Sequence, residues 1–397
     1  MPNIAKFYRT DNSPYLLELD GLHGIKAKLL ASSINSDGVR MDTFELEYPR
    51  QVHAEVRTHG MVDMNSSSSR AIPAKFMRNH IWENTARPVV LTKNQAGMQG
   101  KELHDGLIPV ELIADVNKLT LKEVLKHFEV CEVDTSTGYV TFDEFTRHWA
   151  LSQTLANHEV MERVGLHKQV VNRYCEPFQF MKVVFSATEL DNFFNLRFQE
   201  DADPTLIELV NCMLALYHEV TPEVLSSGEW HTPYVQHARD VETGELEYFV
   251  GQVGEGDFQW LTPEDAIKVS CCACAQVSYR KMDTSPEKVA RVFDLLINGG
   301  IIHGSAFAHV ATPMKVANLG KVLGTQCNIG VLPESWEAGV THMDRSGQLW
   351  SAKLRGWVQY RKLIPNENCE SFDYESRKQE VYGTVVGSQL TQVEGGF

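Results

Sequence analysis

Long apolar runs are missing from this chain. No window approaches the roughly 18 apolar residues of a membrane span, and the opening MPNIAKFYRTDNSPYL lacks the apolar stretch of a secretory signal. A cytoplasmic protein with no membrane partner is the expectation. Positive charge is also scarce: 37 Lys and Arg stand against 52 Asp and Glu, a formal net charge of −15. Coating a nucleic acid duplex requires clustered cations, so a nucleic acid polymer is excluded as partner, whereas a small anion needs only a few convergent arginines. The eight cysteines, three of them in SCCACAQ, form no pair of CxxC motifs and are too sparse for a disulfide scaffold. They read as reduced, mostly buried thiols, with no metal site. Internal repeats, low-complexity tracts and evident linkers are absent as well.

What remains is an ordinary globular composition, 43% hydrophobic and 22% charged over 397 residues, enough for a sizeable core. Residues 40–58 alternate apolar and polar positions and then change period, which predicts a strand followed by a short helix turning Val52 and Val56 inward. Helical spacing follows Pro73 and dominates from about 103 to 170. Within that region CEVDTSTGYVTFDEF has the outline of a calcium loop. With Gly138 as its central glycine, however, the first, third and fifth ligand positions are Val133, Thr135 and Thr137, so a turn or hairpin is expected. FQFMKVVFSA reads as a strand entering a helix at DNFFNLRF. Asp203-Pro204 opens an amphipathic helix, Thr243-Gly244 marks a hairpin, Thr262 caps a helix, and SPEKVARVFDLLING is another helix ended by glycine. These elements imply one interwoven α+β domain over residues 1–397, a mixed or antiparallel sheet flanked by helices, with a mainly helical insertion at 103–165.

Four stretches carry polar residues that a core would not want: THGMVDMNSSSSR, NRYCEPF, DNFFNLR and IIHGSAFAH. Taken singly, each fits a solvated loop, a helix end, a core helix with a satisfied Asn, or a turn with surface histidines. The serine run favours caps and turns over helix or strand, so it reads as a donor-rich loop. Arg70, Arg173 and Arg197 give these stretches the guanidinium forks that pair with phosphate and with planar carbonyl edges.

Ser68 lies nine residues after His59, the spacing of the R-H-R-x7-S signature of the flavin-dependent thymidylate synthases, and Asn65 and Arg70 agree with its longer form. TFELEYPRQVHAEVRTH resembles the segment leading into that signature, and DNFFNLRF resembles the family's N-F-x-x-L-R. Near the C-terminus CACAQVSYR and GGIIHGSAFAH resemble V-S-Y and G-H-x-S-P-F-E-H, a block that usually opens the fold, so the motif order is permuted. With SSSSRAIP, KNQAGMQ, LHKQVVNRYCEPFQ and LRGWVQYRK, the chain from about 20 to 365 is similar to a longer phage and bacterial branch of these ThyX-like proteins.

The resemblance implies FAD as cofactor, NADPH as reductant, methylenetetrahydrofolate as co-substrate, and a homotetramer whose subunits share sites that methylate dUMP to dTMP. It places His59, Asn192, His303, Ser305 and, more weakly, Ser278 on the flavin. Ser68, Arg70, Arg173 and Arg197 would hold the nucleotide, with Ser68 and Arg197 nearest the chemistry. Physically, serine hydroxyls and backbone N–H groups suit a monophosphate, and an arginine at the ring carbonyls would stabilise charge that develops on the pyrimidine. No protein nucleophile is needed, and no cysteine lies within these blocks in a nucleophile setting, Cys175 being the nearest exception.

Several positions depart from the motifs. Thr58 and Gly60 replace both arginines of R-H-R, Ala308 replaces the acid of F-E-H, and Ala202-Asp203-Pro204-Thr205 replaces A-Q-x-E. Asp63 stands where a neutral hydroxyl is expected and would favour a ring amino group such as that of cytosine. Methylation or hydroxymethylation of dCMP or dUMP for DNA modification, and a catalytically silent nucleotide-binding paralogue, are therefore the alternative expectations.

Overall fold

The computed structural model describes residues 4–8, 14–97, 100–251, 259–278, 282–299, 302–317 and 336–384. The chain divides into two compact units, Met1–Leu363 and Ile364–Phe397, at a boundary that no change of composition marks. In the second unit the described regular element is a helix, Tyr374–Tyr382, capped by Asp373, whose side chain accepts from Ser376 N.

The first unit is built on an antiparallel sheet. Its strands are β1 (Ile4–Tyr8), β2 (Pro14–Asp20), β3 (Lys26–Ile34), β4 (Arg40–Pro49) and β5 (Asp63–Ser66). The chain then leaves for the helical insertion, where β6 (Leu107–Pro109) and β7 (Tyr139–Thr141) form a separate ribbon. It returns as β8 (Phe180–Ala187), and β9 (Glu223–Val224) adds a short parallel pairing to β3. The spatial order β1-β2-β3-β4-β8-β5 leaves β5 at the edge.

Strand periodicity decides the two faces. On β8, Val183, Phe185 and Ala187 join Phe44, Leu46 and Tyr48 of β4 in the main core, while Val184 and Ser186 face the other way. The helix Pro204–Glu219 covers the first face. Asp203 caps it by accepting from Thr205 N at 2.8 Å, and Leu206, Leu209, Val210, Met213 and Leu216 meet the sheet at helical spacing. Each such side chain, fully buried, contributes about 2 kcal/mol. The opposite face receives the helix Pro263–Ala275 and the 3₁₀ turn Gly304–His309, and there polar groups are buried with the apolar ones.

Local expectations compare closely with this architecture. His53–Arg57 follows β4 as a short helix with Val52 and Val56 buried, and Ala74–Glu83 follows Pro73. The strands Gln236–Arg239 and Leu246–Val250 pair across a turn with Gly244 at φ 73°. The serine stretch is the exception, because residues 63–66, up to its first serine, are strand. Met64 packs on the main core, and pairing of residues 63–66 with β8 satisfies backbone groups that a loop would leave to water. Only Ser69–Ala71 forms a tight 3₁₀ turn.

The insertion has its own core of Val110, Ile113, Val124, Phe128, Val140 and Trp149. Its calcium-loop-like segment is a turn, but the strand after it pairs with Leu107–Pro109 rather than with its own flank. Glu144, at the loop's closing position, accepts from the backbone N–H and hydroxyl of Thr141 in a capping box. Among the described residues no group of His, Cys, Asp and Glu could hold a metal ion, and no helix is long and apolar enough to cross a membrane.

Candidate functional site

The polar face of the sheet is organised by a buried hydrogen-bonded chain. Ser33 Oγ lies 2.9 Å from His231 Nδ1, His231 Nε2 2.8 Å from Thr43 Oγ1, Thr43 Oγ1 2.7 Å from Ser186 Oγ, and Ser186 Oγ 2.8 Å from His309 Nδ1. Every member is fully buried. Burial pushes His231 down to about 3 and His309 down to about 4, so both imidazoles are neutral. His309 Nε2 is buried and has no hydrogen-bond partner among the described residues.

Asp63 is the cross-strand partner of Ser186 and shares this face. Beside it opens a cavity of about 250 Å³ lined by Arg57, His59, Gly60, Asp63, Ser305, Ala308, Lys353 and Arg361, among others. Two distant segments meet here. Ser305 Oγ donates to Asn65 Oδ1 at 3.4 Å across 240 residues, and Asn65 Nδ2 donates to Cys274 O at 2.6 Å. His59 packs edge-on against Phe193 and places Nε2 3.3 Å from Glu189 O. The sites of two motif departures, Gly60 and Ala308, therefore open on one space.

Both carboxylate oxygens of Asp63 face donors. Gln359 Nε2 donates to Oδ2 at 2.7 Å, and Lys353 Nζ lies 3.5 Å from Oδ1 while donating to Val62 O at 2.7 Å. Asp63 is 8% exposed. Each oxygen thus has one donor beside it within the protein and further lone pairs besides. Its physical work is to orient Gln359 and Lys353.

The remaining expected residues fall elsewhere. Ser68 accepts from Arg70 N at 3.3 Å at the far end of β5. Arg70 is exposed, as is Arg173 in the 3₁₀ segment Asn172–Phe178. This segment packs on the serine turn: Asn172 Nδ2 donates to Ser69 O and Ile72 O, both at 2.8 Å, and Ser69 Oγ donates to Glu176 Oε1 at 2.9 Å. Ser68, Arg70 and Arg173 are thus grouped. Arg197 lies with the other end, where Nη2 donates to Thr58 Oγ1 and reaches Glu55 O at 3.4 Å. The four residues of β5, about 13 Å of extended strand, lie between Thr58 and Ser68 along the chain. Asn192, His303 and Ser305 are exposed. Ser278 ends a 3₁₀ turn at Gln276–Ser278, and its side chain is outside the described part.

Lys353, Arg361, Gln359 and the buried histidines were not among the expected site residues. The segment LRGWVQYRK marked the region of Arg361 and Gln359, but nothing local distinguishes Lys353. It projects from a two-residue hairpin in which Ala352 takes φ 51°, between strands Leu349–Ser351 and Leu354–Arg355. The cysteines fit the expectation of inert thiols: burial raises Cys175 and Cys272 to about 11 and Cys212 to about 12, so no thiolate forms at neutral pH.

A larger cavity of about 410 Å³ lies between the end of helix Ala74–Glu83, His23 and the insertion. None of the expected site residues lines it, and its two arginines are tied to neighbours, Arg87 to Asp143 and Arg147 to Trp82 O. The smaller cavity, where unrelated segments converge with cations, is the better candidate site. Comparison of the chain with models of known protein families and with curated proteins finds no match.

Proposed function

We propose that this chain is a flavin-dependent enzyme that transfers a one-carbon unit to C5 of a pyrimidine deoxynucleotide, converting dUMP to dTMP with methylenetetrahydrofolate and NADPH. The observation that carries the reading is the meeting of the His59 and Ser305 segments around one cavity, joined through Asn65 and Ser305. These motifs lie far apart in sequence, and a merely coincidental resemblance gives no reason for them to converge.

The cavity also fits part of a flavin nucleotide in its chemistry. Hydroxyl, imidazole and three basic side chains line it, with a single carboxylate already engaged. Sites that enclose a whole ligand of this kind measure roughly 300–1,000 Å³. One chain would therefore hold part of FAD, and a second copy would complete the enclosure. Bound FAD supplies the redox chemistry, and the protein supplies position and charge. His59 and Ser305 would touch it within the cavity, with His303 and Asn192 at its margins. Ser68, Arg70 and Arg173 would hold the monophosphate at the serine turn. Arg197, anchored to Thr58 and Glu55, would face the pyrimidine carbonyls and stabilise charge developing on the ring. The separation of Arg197 from the serine turn fits a nucleotide held between copies of a homo-oligomer, a tetramer by the resemblance.

Purified protein is expected to be yellow and to release tritium from C5 of labelled dUMP when given methylenetetrahydrofolate and NADPH. Colourless protein that binds no added FAD and releases no tritium would overturn the proposal.

A further inference from the structure

Positive charge at the cavity comes from Arg57, Lys353 and Arg361, against one carboxylate, in a chain whose net charge is −15. Such a local reversal of sign in a concave, partly desolvated space concentrates anions. Two of these cations are positioned by neighbours at the cavity itself. Lys353 is gripped by Asp63 Oδ1 at 3.5 Å and Val62 O at 2.7 Å, at the tip of its tight hairpin, with its side chain still 44% accessible. Asp63 is in turn held by Gln359, whose Nε2 also donates to Ala308 O at 3.0 Å. Arg361 packs closely against Gly304. A Cβ built on that glycine would stand 2.7 Å from Arg361 Nε and 3.1 Å from its Cζ, so the missing side chain is what admits the guanidinium.

We infer that Lys353 and Arg361 form a cationic clamp for a phosphate group of the bound nucleotide or dinucleotide, with Asp63 and Gly304 as the positioning residues that set the two cations at the cavity. The clamp pairs a point charge with a planar fork, the two complementary ways of binding a phosphate. It also restores, from the C-terminal segment, positive charge that Thr58 and Gly60 do not provide. The identity of the ligand rests on the function proposed above; the anion site itself rests on the cavity.

Calorimetric titration of the full chain separates the possibilities, with FAD, FMN, riboflavin, dUMP and inorganic pyrophosphate as probes. Phosphate-bearing probes are expected to bind more tightly than riboflavin, and Lys353→Met or Arg361→Met to weaken them by about tenfold or more while leaving riboflavin unchanged. Lys353→Arg and Arg361→Lys should recover part of the loss. Gly304→Ala should reproduce Arg361→Met, and Asp63→Asn should weaken binding by about threefold with a steeper salt dependence. A greater loss for FAD than for dUMP assigns the clamp to the cofactor, and the reverse assigns it to the substrate. Unaltered affinity for every phosphate-bearing probe in both methionine variants, with unfolding midpoints showing native folding, would overturn the clamp even if the protein is a flavoenzyme. Pyrophosphate binding that both variants abolish, without flavin binding by the unmodified protein, would uphold the clamp and overturn the proposed function instead.

Discussion

The two ends of β5 treat polar side chains in opposite ways. At the Asp63 end they converge on a cavity, and Lys353 and Arg361 are steered toward it by Asp63 and Gly304. At the Ser66 end they bind backbone: Lys182 N donates to Ser67 Oγ at 3.0 Å, Arg70 N to Ser68 Oγ, and Asn172 to the carbonyls of Ser69 and Ile72. The arginines there stand in solvent. A run of hydroxyls is therefore a poor guide to where a ligand binds, since most of this run fastens an edge strand and its turn to the next segment.

The contrast can be broken most severely at Asn172. It is fully buried, and Asn172→Ala would strand two carbonyls and the Nε2 of His158, which lies 3.0 Å from its Oδ1. A loss of about 3 kcal/mol is expected, read as a lowered urea midpoint. Asp63→Leu, at the other end, removes the acceptor of Gln359 and the partner of Lys353. Because Lys353 is partly solvated, a smaller loss of about 1–2 kcal/mol is expected in the same assay.

Acid should sharpen the comparison by acting on the cavity side. His231 and His309 titrate near 3 and 4 when folded, below their ordinary value of 6.5, mainly because burial opposes their charge. The unfolded chain then binds more protons, so their contribution is intact above pH 6.5 and is lost as pH falls from there toward 4 and below. Asp42, raised to about 6 by burial, acts in the opposite sense between about 6 and its ordinary 3.8 and offsets one histidine. Urea midpoints measured from pH 7 to 4.5 should fall with pH. A flat profile would show that the histidines are not held neutral.

Ser69→Ala should cost about 1 kcal/mol through the bond to Glu176. The smallest change is expected at the exposed arginines: Arg70→Gln and Arg173→Gln should alter stability by less than about 0.5 kcal/mol. On the proposed function, the same variants should weaken dUMP binding in calorimetry by about tenfold. Unchanged affinity would assign these arginines to the surface alone.

What could be read from the sequence follows the range of the forces involved. The helix at Pro204 and the hairpin at Gly244 declare themselves through neighbours a few residues away, by capping, period and turn chemistry. The apolar run FQFMKVVFSA signals a strand, though not which residues face which core, and His59 and Ser305 were marked by their motifs. The pairing of Ser186 with His309 spans 123 residues, and that of Lys353 with Val62 spans 291. No local pattern signals either, because a hydroxyl or an ammonium has the same intrinsic preference whichever strand arrives beside it. The serine stretch was misjudged for the same reason, as its strand character comes from β8.

The chain of hydroxyls and imidazoles running from Ser33 to His309 has a polarity. With both rings neutral, each ring carries one N–H and one lone pair, whereas each hydroxyl has one O–H and two lone pairs and can accept on both sides. If His309 Nε2 carries the N–H, Ser186 must donate to Nδ1, Thr43 to Ser186, His231 to Thr43 and Ser33 to His231, so every link points one way. If Nε2 is a lone pair, His309 donates to Ser186, and the earlier links can run in either direction, because Thr43 or Ser186 can accept twice. The coupling of the two rings is therefore one-way: an N–H at His309 Nε2 fixes the tautomer of His231, and a lone pair there leaves it open.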